Sequence, residues 1–511
     1  YDNKSWTNWA DDALRNGKAT HHNLSLDGGF NETDYYLSGN FLKVEGQTLN
    51  DEYTRFNGRV GIRTTLAKFI KIGANLQVAS ADYGGAPIDW EDVLKINPLT
   101  SGYDANGNRQ VFPWPEFIDI LNPLDPLNYE YSHKSFQLFS NNYAEINIPK
   151  VNGLTYRVNF GYQKNWSSMS NYADRTTGLG YTNQGYHASS NGENDYVSLE
   201  NIVTYRKKFG DHSLDFTGVY SFEEGNRHTS TLEARGFAHD FITKYSVAQA
   251  NFKLPGYDYY KTVLIGQMLR LNYNYDGRYL FTFTGRRDGY SGFGANRKWG
   301  IFPSIALGWN LAEEQWGLQD IFQEFKFRAS YGVNGNQAVG AYETISRLGE
   351  DNMVSGSNSL PGYVPIKLGQ DELGWESSRT LNLGLDFSLL KGAVSGTINY
   401  YNTDTYDLLL NRTISPVHGI SNITQNIGKT NNRGVEASLT TVVRGGNGLR
   451  WDLQGNMAVN KNKIVALYGL LDDEGNEIDD LANSWFIGQP ISVNYNYKYL
   501  GVWQLNEAEE A

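Results

Sequence analysis

The strongest constraint on this chain is a two-residue period that runs through most of its length. Residues 277 to 311, GRYLFTFTGRRDGYSGFGANRKWGIFPSIALGWNL, show it plainly. Tyr279, Phe281 and Phe283 alternate with Leu280, Thr282 and Thr284, and Arg286, Arg287 and Asp288 follow. Ile301, Ile305 and Leu307 alternate with Phe302, Ser304 and Ala306. Successive side chains of a strand point to opposite faces, so each such segment has one aromatic or aliphatic face and one hydroxylated or charged face. The same pattern sets Ile70, Ile72, Leu76 and Val78 against Lys71, Asn75 and Gln77, and Tyr156, Val158 and Phe160 against Arg157, Asn159 and Gln163. Helical spacing is confined to short pieces such as SWTNWADDAL and EDVLKINP.

The connections are sorted as well. Tight polar turns are expected at Ala67–Lys68, Gly210–Asp211, Asp276–Gly277, Lys391–Gly392 and residues 445 to 448. Long segments are expected at residues 81 to 130, 170 to 192, 229 to 259, 337 to 373 and 411 to 423. Short and long alternate, with only the end at 313 to 322 less tidy. A membrane barrel sorts its loops in this way, with short turns at one rim and long loops at the other.

Lipid accepts the Tyr/Phe/Leu/Ile face, a water-filled lumen accepts the Thr/Asn/Arg face, and closure leaves no strand edge unpaired in hydrocarbon. Propellers and solenoids also alternate, but they repeat every 20 to 50 residues or so, and no such repeat is present. The expected fold is therefore all-β: an antiparallel transmembrane β-barrel with about sixteen or seventeen strands in this chain.

Composition agrees. No run of 18 or so apolar residues marks a membrane-spanning helix, and the mean hydropathy of −0.52 fits strands that send only every second residue to lipid. Glycine is abundant at 54 and proline scarce at 13, which suits strands and open turns rather than disorder. The net charge of −12 argues against nucleic acid as a partner. With no cysteine, disulfides and thiolate metal sites are excluded. The chain begins at Tyr1 without a basic or apolar leader, and both ends read as cuts in a longer protein.

Motifs of catalysis are absent. Gly428–Thr430 reads GKT, but Ile423 stands where a phosphate loop needs its first glycine. DANGN from Asp104 and DDEGNE from Asp472 resemble the first half of a calcium loop. Pro115, however, holds the place of the bidentate acid after Asp104, and Asx turns account for both. Glu223–Glu224 and Glu313–Glu314 are adjacent and would face opposite ways on a strand, so neither pair can share one substrate. No enzyme activity, metal or cofactor is expected. The candidate ligand contacts are the aromatics Trp90, Trp114, Trp166, Tyr181 and Tyr186, read as lying in long loops, since aromatic faces stack on sugar rings.

Several stretches together resemble the barrel of the SusC/RagA family of TonB-dependent outer-membrane transporters of the Bacteroidetes. They run in family order from HHNLSLDGGFNETDYYLSGNFLKVEGQ (21 to 47), through FKFRASYGVNGNQAVGAY (325 to 342) and LGWESSRTLNLGLDFSLLKGAVSGTINYYNTDTYDLLL (373 to 410), to NIGKTNNRGVEASLT (426 to 440), NMAVNKNKI (456 to 464) and YKYLGVWQ (497 to 504). The densest match is residues 278 to 316, where Arg287, Asp288, Phe293, Gly294, Phe302, Pro303 and Trp309 match the family in type and are expected to be structural. One departure stands beside them: Tyr290, Ser291 and Gly292 replace two serines and an arginine.

The resemblance implies a plug domain inside a 22-stranded barrel, of which residues 21–511 would be a part truncated at the C-terminus and residues 1–20 the connection from the plug. It also implies TonB as the source of energy, a SusD-like lipoprotein as a lid, outer-membrane lipid around the barrel, and import of an oligosaccharide or, in some members, a peptide. Siderophore or cobalamin receptors and passive porins are the alternatives.

Overall fold

The computed structural model describes residues 6–114, 119–355, 358–415, 417, 419–444, 448–499 and 501–502. It divides into two compact units. The first, Tyr1–Thr204 with Val219–Ile265, holds α1 (Trp9–Ala13), β1 (Lys18–Phe30), β2 (Thr33–Glu45), β3 (Asp51–Ala67), β4 (Ile70–Gly84), α2 (Trp90–Lys95), β5 (Glu130–Asn147), β6 (Leu154–Ala173) and α3 (Gly178–Asn183). The strands β7 (Tyr186–Phe209), β8 (His212–Arg235) and β9 (Phe252–Tyr275) are divided between the units.

The second unit adds β10 (Tyr279–Tyr290), β11 (Trp299–Asn310), β12 (Phe322–Asn336), β13 (Arg347–Ser355), β14 (Asn358–Lys367), β15 (Glu376–Leu389) and β16 (Val394–Tyr406). It continues with β17 (Leu409–Thr413), β18 (Asn422–Asn426), β19 (Lys429–Arg444) and β20 (Arg450–Ala466). Sixteen strands follow one another in a single hydrogen-bonded order, β1 to β12 and then β15, β16, β19 and β20. Among the described residues no helix is long and apolar enough to cross a membrane.

The expected pieces of helix are α1 and α2. Four of the expected turns fall where chain direction reverses. Asn31 and Glu32, both at positive φ, close β1 onto β2 in a two-residue turn, and Asp276 and Gly277, also at positive φ, begin the three-residue link between β9 and β10. The turn expected at residues 445 to 448 lies largely outside the described residues.

Three readings are corrected. Residues 337 to 373 are not a plain loop, because β13 and β14 pair within them as a separate hairpin. Residues 411 to 423 likewise belong to a β17–β18 hairpin. Much of the segment 229 to 259 is strand: β8 runs on to Arg235 and β9 begins at Phe252. A tilted strand needs only about 9–11 residues to cross hydrocarbon, and β7, β8 and β9 have 24 each, so they project well beyond it.

The register makes the two faces explicit in each unit. In the first, Leu26, Leu37, Val60 and Leu76 stand side by side across four strands, each 43–58% exposed. In the second, Phe281, Leu307, Ala329, Leu383, Tyr400, Val435 and Val459 form one row. The neighbouring row on the opposite face reads Thr282, Ala306, Ser330, Asn382, Tyr401, Gly434 and Asn460. An open apolar row beside a polar one is what lipid on one side and water on the other demand.

The long connections carry their own cores. Trp9 and Ala13 of α1 pack with Ile88, Val93 and Leu124, so residues 6–17 are built into the first long connection, and β1 begins at Lys18, within the segment expected as a link to a plug. Tyr172, Ala234, Phe237 and Ala250 form a second core where three further segments meet.

Candidate functional site

The polar face of the first unit gathers charge and aromatic rings into one wall. Arg63 on β3 donates through Nε and Nη2 to Asp34 Oδ2 on β2, at 3.0 and 2.6 Å. Arg59, four residues back on the same face, donates to Asn75 Oδ1 at 2.9 Å and lies over the Tyr36 ring at 5.5 Å. On β6, Arg157 sits over the Tyr143 ring at 4.0 Å, donates to Asn159 Oδ1 at 2.7 Å and faces Glu145 at 3.5 Å. Asn159 in turn donates to Glu200 at 3.0 Å.

These side chains border a hollow of about 410 Å³. Its floor is made by Gly61 and Gly73, where the absence of side chains leaves room for the rings. Arginine forks, amides and ring faces offer hydrogen-bond donors and stacking surfaces to hydroxyls, carbonyls or carboxylates.

The second unit has a smaller polar hollow of about 230 Å³ between Thr282, Lys326, Arg328 and Asn382. There Arg328 forks onto both oxygens of Asp386 at 2.7 Å and reaches Asn399 at 3.0 Å.

Above the first wall the long connections interlock. The buried Asp125 carboxylate accepts the Gly178 N–H. Tyr172 and Arg175 both donate to Asp240, at 2.9 and 3.0 Å. Burial pushes the Asp125 carboxyl up to about 6, against the opposing pull of the Gly178 N–H and of Arg109.

The five aromatic candidates do not converge. Trp90 opens α2, Tyr181 lies in α3 and Tyr186 starts β7. Tyr181 meets Phe112 edge-on at 5.3 Å, two residues before the half-buried Trp114. Trp166 is not in a loop: it lies within β6, paired with Phe136 on the apolar face. The hydroxyl-rich residues around it hide the strand in the sequence. The arginines of the polar wall were visible as the alternate positions of their strands, but their grouping depends on pairings between distant segments.

The residues of the densest motif build a knot in the second unit. Phe293, 1% exposed, meets Tyr290 and Trp375 edge-on at 5.2 and 5.1 Å, and Phe302 meets Trp375 at 5.2 Å. The Gly294 N–H reaches the Leu373 carbonyl at 2.9 Å. Arg286 bonds Asp288, Arg287 lies over Trp299 at 4.2 Å, and Trp309 donates to Glu314 at 2.9 Å. Pro303 pairs with Gly285. Tyr290, part of the departure noted above, is itself used: its hydroxyl donates to the Val339 carbonyl at 3.1 Å.

Residues 75–508 match the model of the TonB dependent receptor-like β-barrel. The chain belongs to that family. It is 29% identical to TonB-dependent receptor P3 of Formosa agariphila over 98% of this chain and 51% of the relative. It is 30% identical to TonB-dependent receptor SusC of Bacteroides thetaiotaomicron over 91% of this chain and 49% of the relative. The chain thus spans about half the length of the curated relatives it matches. Its fold is that of the RagAB peptide transporter, with a TM-score of 0.82 at 20% identity, covering 95% of this chain and 55% of the other. The sheet is accordingly part of a SusC-like transmembrane β-barrel.

Proposed function

We propose that the full-length protein is an outer-membrane importer that takes up an oligosaccharide, energised through TonB and capped by a SusD-like lipoprotein. The observation that carries this reading is the polar wall of Arg59, Arg63, Arg157, Tyr36 and Tyr143 directly behind an apolar, lipid-ready face. Rings and guanidinium groups side by side suit sugars, which offer an apolar face and a rim of hydroxyls. In this reading the long connections face the cell exterior and first meet the ligand, the wall lines its path, and a plug outside this chain gates it.

A peptide is the second reading, because the same donors suit backbone carbonyls and a terminal carboxylate. Uptake of labelled oligosaccharide and peptide pools by cells bearing the full-length protein separates the two. The glycan reading expects oligosaccharide uptake that stops when the proton gradient is collapsed and weakens in Arg157→Ala. Peptide uptake alone would replace the ligand class, and uptake indifferent to the gradient would overturn active import.

A further inference from the structure

A second hollow lies on the opposite face of the same unit. Its volume is about 470 Å³, and Trp166, Phe136, His228 and Tyr257 supply its rings. The register fixes its side. Trp166 pairs with Phe136 and Phe136 with Ser80, and two residues further along the same face come Leu138 and Val78, then Leu76. This is the apolar face, away from the arginine wall.

The register also fixes its height. Tyr156 and Trp166 share this face of β6, ten positions apart by number, and a tilted strand crosses hydrocarbon in about 9–11 residues. Between them stands Lys164, paired with Glu193 and with Asp195 at 3.1 Å. Such a charge cluster marks the polar edge of the lipid zone, toward the long connections. The hollow therefore opens into the headgroup layer rather than the hydrocarbon.

Its chemistry is that of a sugar site. Ser80, Ser168, Ser230 and Asn191 line it beside the rings, and Ser168 donates to Asn191 Oδ1 at 2.8 Å. His228 and the Tyr257 hydroxyl are bonded at 2.9 Å, which holds the exposed Tyr257 ring at the rim. The cations do not form a phosphate cradle. Lys164 is engaged by two carboxylates, and Lys134 faces Asp82 at 3.6 Å.

We infer that this hollow holds a sugar ring from the headgroup of an outer-leaflet glycolipid, anchoring the barrel in its membrane independently of the imported ligand. The inference rests on the proposed outer-membrane placement. A ring stacks on an aromatic face while its hydroxyls meet Ser and Asn. Free saccharide shares that chemistry, but the approach to the hollow is through the headgroup layer, where the lipid-linked form is held at high effective concentration.

The test uses full-length protein in phosphatidylethanolamine nanodiscs with and without lipopolysaccharide, read by native mass spectrometry. Wild type should retain the glycolipid. Trp166→Ala and Ser168→Trp, the second filling the hollow without removing a ring, should each lose most of it, while Phe160→Ala, lower on the same face, should not. Equal retention by all four would overturn the inference, as would binding of the lipid-free core oligosaccharide at the occupancy of the intact glycolipid. Failure of every form, wild type included, to enter nanodiscs would overturn the membrane placement and this inference with it. Entry with equal retention overturns this inference alone.

Discussion

Gly73 and Tyr143 are paired across β4 and β5, and a β-carbon on Gly73 would lie 2.1 Å from the Tyr143 ring. The ring occupies the place of a side chain and carries Arg157 on its other surface. Gly73→Ala should push the ring aside and release Arg157, at a cost of roughly 1–3 kcal/mol. Ligand affinity of the full-length protein should fall, and it should fall less when Tyr143→Ala is present as well, because the clash is then gone. Isothermal titration of the single and double variants checks the non-additivity.

The packing of the first long connection should depend on pH through Asp125. Its carboxyl is held near 6 in the folded protein and lies near 3.8 when exposed, so the folded form binds the proton more tightly. Stability of this connection is therefore greatest at low pH and falls as pH rises from about 4 to about 6, then levels off. Asp125→Asn should abolish that slope. Hydrogen exchange in residues 85–129 across this range gives the answer, and an unchanged slope in the variant would assign it to another group.

Gly294 touches the neighbouring segment through its backbone. A β-carbon there would come within 1.8 Å of the Asp371 carbonyl oxygen, an atom that cannot swing away as a side chain could. Gly294→Ala should cost about 1–3 kcal/mol or more, open the aromatic knot around Phe293, and expose residues 291–298 to protease. Wild-type resistance of the variant would contradict the knot's role.

Arg328 and Asp386 form a two-pronged charged pair in the second unit, with the carboxylate side chain 16% exposed and the guanidinium 36%. Removing Arg328 alone leaves a partly buried carboxylate, and partial exposure reduces the cost of that to about 1–2 kcal/mol. Arg328→Met with Asp386→Leu should recover part of it. A double-mutant cycle on the melting temperature would show a coupling near zero if the pair were merely decorative.

The fold was legible where alternation is local, and the site was not. In β6 the run from Tyr156 to Phe160 declares both faces by itself, and Asp276–Gly277 declares its turn. Further along, Ser167, Ser168, Ser170 and Asn171 put polar groups on both faces, so the strand continues unseen and Trp166 reads as a loop residue. The β13–β14 hairpin is hidden in a similar way, with Pro361 and Pro365 interrupting its pattern. The polar wall depends on cross-strand neighbours far apart in the chain, such as Asn159 and Glu200. No window of sequence brings those together; only the register does.

The central claim is that these strands stand between lipid and an aqueous lumen, and the absence of cysteine from this chain makes it directly measurable. Single cysteines are placed in turn at residues 157 to 163 of the full-length protein, otherwise free of cysteine, in native outer membranes. Each is then tested with a water-soluble maleimide and a lipid-restricted quencher. Positions 157, 159, 161 and 163 should react with the maleimide, while 158, 160 and 162 should be shielded from it and reached by the quencher. Uniform reactivity along the run, or quenching at the odd positions, would contradict the account.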